Sequence, residues 1–209
     1  MYNFVAIEGN IGAGKTELSK LLANTNNAQL IQEEFTDNSY LPKFYENPNR
    51  YAFPLEVSFL VERYQQLNAF VSDTDLFQQQ IVSDYFFDKS LIFARNNLNN
   101  EQYLLLKRLF DIFTFQIMQP DLILYLHRPV DEIIEQIHFR GRPFEQSIQK
   151  NYLQNIQDYY FNYFKRLDEK RIVVADVSGK DFKTDSKVLE AIQQILKTDY
   201  PKKLNLVSV

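Results

Sequence analysis

Gly9-Asn10-Ile11-Gly12-Ala13-Gly14-Lys15-Thr16 is the stretch on which the fold turns. It fits G-x-x-x-x-G-K-[ST] and stands in the context that this pattern requires. Before it, residues 3–8 form a mostly apolar run with Val and Ile, read as a buried parallel strand. After it, residues 16–23 carry Leu18, Leu21 and Leu22 at helical spacing. A glycine-rich turn between strand and helix lets successive backbone N–H groups curl round an anion, to which the helix adds its positive end. Lys15 would reach terminal phosphate oxygens, and the Thr16 hydroxyl could ligate Mg²⁺. The loop therefore predicts a nucleoside triphosphate, with Gly9, Asn10, Ile11, Gly12, Ala13, Gly14, Lys15 and Thr16 around its phosphates.

Glycine usage supports that reading. Average composition would give roughly 15 glycines in a chain of this length, but there are 5, and three of them fall in this loop. Of the others, Gly141 lies between Arg140 and Arg142, and Gly179 closes Asp176-Val177-Ser178-Gly179, which reads as a turn into the last helix.

Working outward, short strands are expected at residues 28–32, 80–83, 121–127 and 171–176. Helices are expected at residues 51–71, 87–97, 100–118, 146–167 and 184–197, and another opens at Pro129. Strands alternating with helices require crossover connections and hence a parallel sheet. The fold class is α/β, a three-layer α/β/α domain with a five-stranded parallel sheet, spanning residues 1–209 as one unit. The helices starting at residues 51 and 100 carry more apolar side chains than one buried stripe needs. A dimer interface or a thick monomer core would each account for that.

Composition narrows the functions. The chain has 23 Lys plus Arg against 27 Asp plus Glu, a net charge of −4, so a nucleic-acid binder is not expected. Cysteine is absent and there are two histidines, so a metal should be held by oxygen ligands. No apolar run approaches the ~20 residues of a membrane span, and no basic leader precedes the first strand, which predicts a cytoplasmic protein without a membrane partner.

A guanine-reading N-K-x-D is missing, which leaves a kinase or an ATP-driven module. Phosphoryl transfer needs a carboxylate near the acceptor, a metal and cations round the moving group. Glu33 and Glu34 end the second strand and Asp84 closes the third, at the sheet edge where ligands bind, so Thr16, Glu33 and Asp84 are candidate Mg²⁺ ligands. Arg140 and Arg142, hinged on Gly141, suggest a lid at about residues 140–146 that folds over the triphosphate.

Together these residues resemble the deoxynucleoside kinase family of P-loop enzymes, and within it the bacterial deoxyguanosine and deoxyadenosine kinases. The resemblance runs through I-E-G-N-I-G-A-G-K-T, E-E-F-T-D-N-S-Y-L, F-Y-E-N-P, F-P-L-E-V-S-F-L-V-E-R-Y-Q-Q-L, I-V-S-D-Y, R-G-R-P-F-E-Q and D-F-K. It implies an ATP-dependent enzyme with Mg²⁺, dimeric through two long helices, that phosphorylates the 5′-hydroxyl of a deoxynucleoside in salvage. Glu33 resembles the family's base for that hydroxyl. Tyr45 and Glu145 match residues that bind the deoxyribose 3′-hydroxyl, Glu56 and Arg63 the pair facing the base, and Phe93 its stacking aromatic. Lys15, Arg140 and Arg142 match the phosphate clamp, with Asp181 and Phe182 in the loop that borders the ATP adenine.

Two departures stand out. Asp84 is followed by Tyr85 and Phe86, where the family has Arg and Ser, so one phosphate-facing arginine is missing. Glu56 stands where many members have Gln. A carboxylate offers acceptors only, which suits the N1–H and 2-amino donors of guanine. Deoxyguanosine is therefore the expected substrate. The alternatives are a deoxyadenosine/deoxycytidine kinase, a nucleoside monophosphate kinase or a non-catalytic ATP-binding protein.

Overall fold

A computed structural model describes residues 2–34, 38–71, 80–182 and 184–209. Its strands β1 (Phe4–Gly9), β2 (Gln29–Ile31), β3 (Ile81–Ser83), β4 (Leu122–His127), β5 (Ile172–Asp176) and β6 (Leu204–Ser208) form one parallel sheet in the order β2-β3-β1-β4-β5-β6. Around it lie α1 (Lys15–Asn26), α2 (Tyr40–Glu46), α3 (Pro48–Val71), α4 (Lys89–Asn97), α5 (Asn100–Thr114), α6 (Val130–Arg140), α7 (Lys150–Phe164) and α8 (Ser186–Lys197).

The layers follow from the two-residue period of the strands. Val5 and Ile7 of β1, with Leu122, Leu124 and Leu126 of β4, pack on one face against Leu18 and Leu22 of α1 and Val188 and Ile192 of α8. Their neighbours Phe4, Ala6, Ile123 and Tyr125 face the other way, toward α3, α4, α5 and α7. Both faces are covered, so the central strands are mostly apolar, with the buried Glu8 of β1 and Ser83 of β3 as exceptions.

The sheet has six strands, which corrects the expected five. β6 pairs with β5 from Ile172 opposite Leu204 to Asp176 opposite Ser208. It lies at the sheet edge with Leu206 exposed, and such a half-covered strand lacks the continuous apolar run by which the inner strands announce themselves. Helix α2 likewise forms in a stretch read as loop. Helix α3 starts at Pro48 rather than Tyr51, and carries Pro54 in its interior. Other boundaries agree better: Asn99 caps α5, its Oδ1 accepting from the Gln102 amide at 2.9 Å, next to the expected helix start at residue 100.

Candidate active site

The phosphate loop leaves β1 and enters α1 through Gly14, at φ 95°. This conformation suits glycine, and a Cβ here would also lie 2.8 Å from the Phe182 ring. Phe182, itself under the Arg128 guanidinium at 5.6 Å, thus brings the loop after β5 against the phosphate loop. Lys15 Nζ donates to the Gly9 and Asn10 carbonyls at 2.9 Å each, folded onto its own loop. Burial and the nearby Lys89 charge pull its pKa down to about 8.

Asp84, buried just after β3, joins two of the elements that reach this edge. One carboxylate oxygen accepts from the Thr16 hydroxyl at 2.7 Å, and the other from the Glu33 amide at 2.7 Å. A hydroxyl and a carboxylate side by side beneath the phosphate loop are hard oxygen donors of the kind Mg²⁺ takes. Glu33 fits that role less well, because both its oxygens are occupied. Oε1 accepts from Arg63 Nη2 at 2.6 Å and Nε at 2.9 Å, and Oε2 from Lys89 Nζ at 2.6 Å. Burial alone would raise the Glu33 pKa, but the two cations together outweigh it and hold the carboxyl at about 2.

The same pocket collects Glu33, Tyr45, Glu56, Arg63, Asp84, Phe93 and Glu145 with Lys15, Thr16, Arg140 and Arg142. Asp181 and Phe182 lie instead on a second concavity across the phosphate loop, with Gly12, Gly14 and Arg128. The segment from Glu33 to Leu41 is described only at its ends, residues 35–37 lying outside the described residues.

Glu56 is 2% exposed. Its Oε1 accepts from Asn97 Nδ2 at 2.7 Å, while its buried Oε2 has no partner among the described residues. Burial raises its pKa to about 7. Arg63, also buried, gives three of its five N–H groups to Glu33 and Ser90, whose Oγ accepts from Nη1 at 2.7 Å. Glu56 and Arg63 are therefore both inside the pocket rather than paired on the surface. Phe93 meets Tyr160 edge-on at 6.3 Å, and Tyr45 lies parallel to Phe144 at 6.2 Å.

The chain leaves α6 through Gly141, at φ 71°, in the segment expected to form a lid. Glu145 takes Arg140 Nη2 on one oxygen and Arg142 Nη1 on the other, the latter at 3.2 Å. Both lid arginines therefore rest on one buried carboxylate.

Three contributors went unremarked in the sequence: Lys89, Asn97 and Glu8. The sequence signal for Lys89 was a lysine in the first turn of a helix, where the macrodipole opposes a cation. Glu8, fully buried, accepts from the Gly9 and Phe86 amides and from the Tyr160 hydroxyl, fixing the loop after β3 to the phosphate loop.

The geometry is that of a P-loop enzyme with a polar acceptor pocket, and the family model for deoxynucleoside kinase matches residues 5–198. This chain belongs to the deoxynucleoside kinase family. The kinase is 36% identical to the deoxyguanosine kinase of Bacillus subtilis (strain 168) over 194 residues, 90% of this chain and 93% of that one. It is 28% identical to the deoxyadenosine kinase of Dictyostelium discoideum over 203 residues, 94% of this chain and 78% of that one. In fold it is similar to the deoxyadenosine kinase from M. mycoides, solved with the products dCMP and a flexible dCDP, with a TM-score of 0.78 at 21% identity, covering 93% and 98% of the two chains. It is thus a phosphotransferase that uses ATP to phosphorylate deoxynucleosides. Among the described residues, no helix is long and apolar enough to cross a membrane.

Proposed function

We propose that this kinase phosphorylates the 5′-hydroxyl of deoxyguanosine in nucleotide salvage in the cytoplasm. The observation that carries the base assignment is the orphaned, buried Oε2 of Glu56 in the acceptor pocket. An ionised carboxylate there is satisfied by the N1–H and 2-amino group of guanine, whereas adenine offers no donor at those positions. The deoxyguanosine kinase of B. subtilis, similar over most of its length, supports the same choice.

In this reading Phe93 stacks on the base and a remaining Arg63 N–H turns to guanine O6. Tyr45 and Glu145 hold the deoxyribose 3′-hydroxyl. Glu33 accepts a hydrogen bond from the 5′-hydroxyl and orients it. With a pKa of about 2 it takes the proton late, as suits a loose transition state. Lys15 leaves its own loop carbonyls for the β- and γ-phosphates, and Arg140 and Arg142 close on the γ-phosphoryl oxygens. Thr16 and Asp84 would hold Mg²⁺, which would supply positive charge to offset that of the triphosphate. Asp181 and Phe182 border the ATP adenine. A homodimer is supported by the outer face of α5, where Leu104, Leu105 and Ile112, with Phe115 just beyond, are exposed.

Incubation with γ-labelled ATP, Mg²⁺ and a panel of deoxynucleosides and their monophosphates tests the proposal. Deoxyguanosine should give the highest kcat/KM, with label at the 5′ position. A preference for deoxyadenosine would overturn the base assignment, and acceptance of monophosphates alone would overturn the choice of acceptor.

A further inference from the structure

Tyr85 occupies the position at which the resembling enzymes carry a phosphate-facing arginine. Its side chain does not reach the pocket: it is fully buried in the cluster with Leu60 and Phe87, and its hydroxyl donates to Gln66 Oε1 at 2.8 Å. A cation nevertheless stands where one is needed. Lys89, four residues on and 5% exposed, lines the acceptor pocket with Lys15 and Arg140. Its Nζ lies over the Phe93 ring, 5.6 Å from the ring centre, and 2.6 Å from Glu33 Oε2.

The placement runs against local preference, for Lys89 is the first residue of α4, where the helix dipole repels a positive charge. Glu33 does not need it as sole counter-charge, because Arg63 already grips Oε1 with two N–H groups. An ammonium has three donors, and the bond to Glu33 uses one.

We propose that Lys89 is a catalytic residue that stands in for the missing arginine, donating to the transferring phosphoryl group while it stays beside Glu33. The inference rests on the kinase reading above. As the bond from the 5′-oxygen to the γ-phosphorus forms, the bond from that phosphorus to the β,γ-bridging oxygen breaks. The hydroxyl proton passes to Glu33 and then to solvent, and ADP leaves with the bonding pair. Lys89 stabilises the equatorial oxygens, where charge is spread.

The test compares wild type with Lys89→Met and Lys89→Arg on deoxyguanosine. Loss of one such donor lowers kcat by about 10²–10³. Lys89→Met should do so at every pH, with the KM for deoxyguanosine and the affinity for a fluorescent ATP analogue within about threefold of wild type. Lys89→Arg should retain at least a tenth of wild-type kcat. A lysine that merely kept Glu33 ionised would instead leave the plateau kcat intact and shift the acid limb of the pH profile upward. That result, or a Lys89→Met kcat within about threefold of wild type, would overturn the proposal.

If Lys89→Met does not fold, ¹⁵N-lysine spectra of the wild type decide, with Lys89→Arg providing the assignment. The Lys89 Nζ resonance should move when ADP, aluminium fluoride, Mg²⁺ and deoxyguanosine are added together, and not with deoxyguanosine alone. An unmoved resonance would overturn the inference. Wild-type turnover of deoxyguanosine, measured in parallel, tests the kinase reading separately.

Discussion

Substituting Glu56 by Gln isolates base recognition from chemistry, because the side chain keeps its shape and changes only what it offers. Asn97 Nδ2 donates to one oxygen of Glu56 at 2.7 Å, so the introduced amide would turn its carbonyl toward Asn97 and its nitrogen toward the side where Oε2 now lies unpartnered. Guanine N1–H would then face a donor, whereas adenine N1 would gain one. A buried donor left unpaired costs about 1–3 kcal/mol, or roughly 5–150-fold in kcat/KM. The ratio of kcat/KM for deoxyguanosine over deoxyadenosine should therefore fall by at least about fivefold, with kcat on deoxyadenosine little reduced. Proton uptake by wild-type Glu56 should mimic the substitution. Burial raises this carboxyl to about 7 in the free enzyme, so the same ratio should decline as pH falls from 8 to 6. In Glu56→Gln it should stay flat over that range.

A raised carboxyl pKa means that the folded state holds the proton more tightly than the unfolded chain, so Glu56 costs stability increasingly as pH rises from its unfolded value through 7. Glu56→Gln should melt at a higher temperature than wild type at pH 8 and at nearly the same temperature at pH 4. Steady-state kinetics on both nucleosides across pH, with thermal melts alongside, give every quantity needed. A selectivity ratio unchanged by the substitution would refute the assignment of Glu56 to the base.

Glu33→Gln should lower kcat by about 10² while leaving binding of a fluorescent ATP analogue intact. It should also lower the melting temperature, because the buried Arg63 and Lys89 lose their counter-charge. Near-normal turnover would remove Glu33 from the mechanism. Arg142→Ala should reduce kcat more than it weakens deoxyguanosine binding, since its charge matters most as the γ-phosphoryl group moves; an effect confined to KM would argue against the lid. Ile112→Glu, on the exposed face of α5, should shift the molecular mass measured by sedimentation from two chains to one. Unchanged sedimentation would refute the proposed interface.

Sequence and structure diverge for identifiable reasons. The phosphate loop and the four inner strands were legible because burial on both faces demands unbroken apolar runs, and because glycine is concentrated where the backbone must bend. β6 was not, since an edge strand covered on little of its surface has a mixed composition that resembles a tail. α2 was hidden in a segment whose helical form depends on packing Phe44 against Ala52 and Leu55. Candidate site residues were found one at a time, by type and position. Their pairings were not, because these depend on approaches across the fold: Glu33 meets Arg63 and Lys89 through three different segments, and Glu56 meets Asn97 between α3 and α4.

The arrangement at Glu145 bears on how the enzyme treats ATP when no acceptor is present. Both lid arginines are held by this one carboxylate, which on the proposed assignment is also the partner of the deoxyribose 3′-hydroxyl. On that assignment an arriving nucleoside would compete with the arginines for Glu145 and free them for the triphosphate. With the acceptor site vacant, they stay occupied and water gains little help in attacking ATP. Futile hydrolysis would thereby be restrained by the same contact that, on the proposed assignment, meets the sugar, and a 2′,3′-dideoxynucleoside should fill the pocket without releasing the latch.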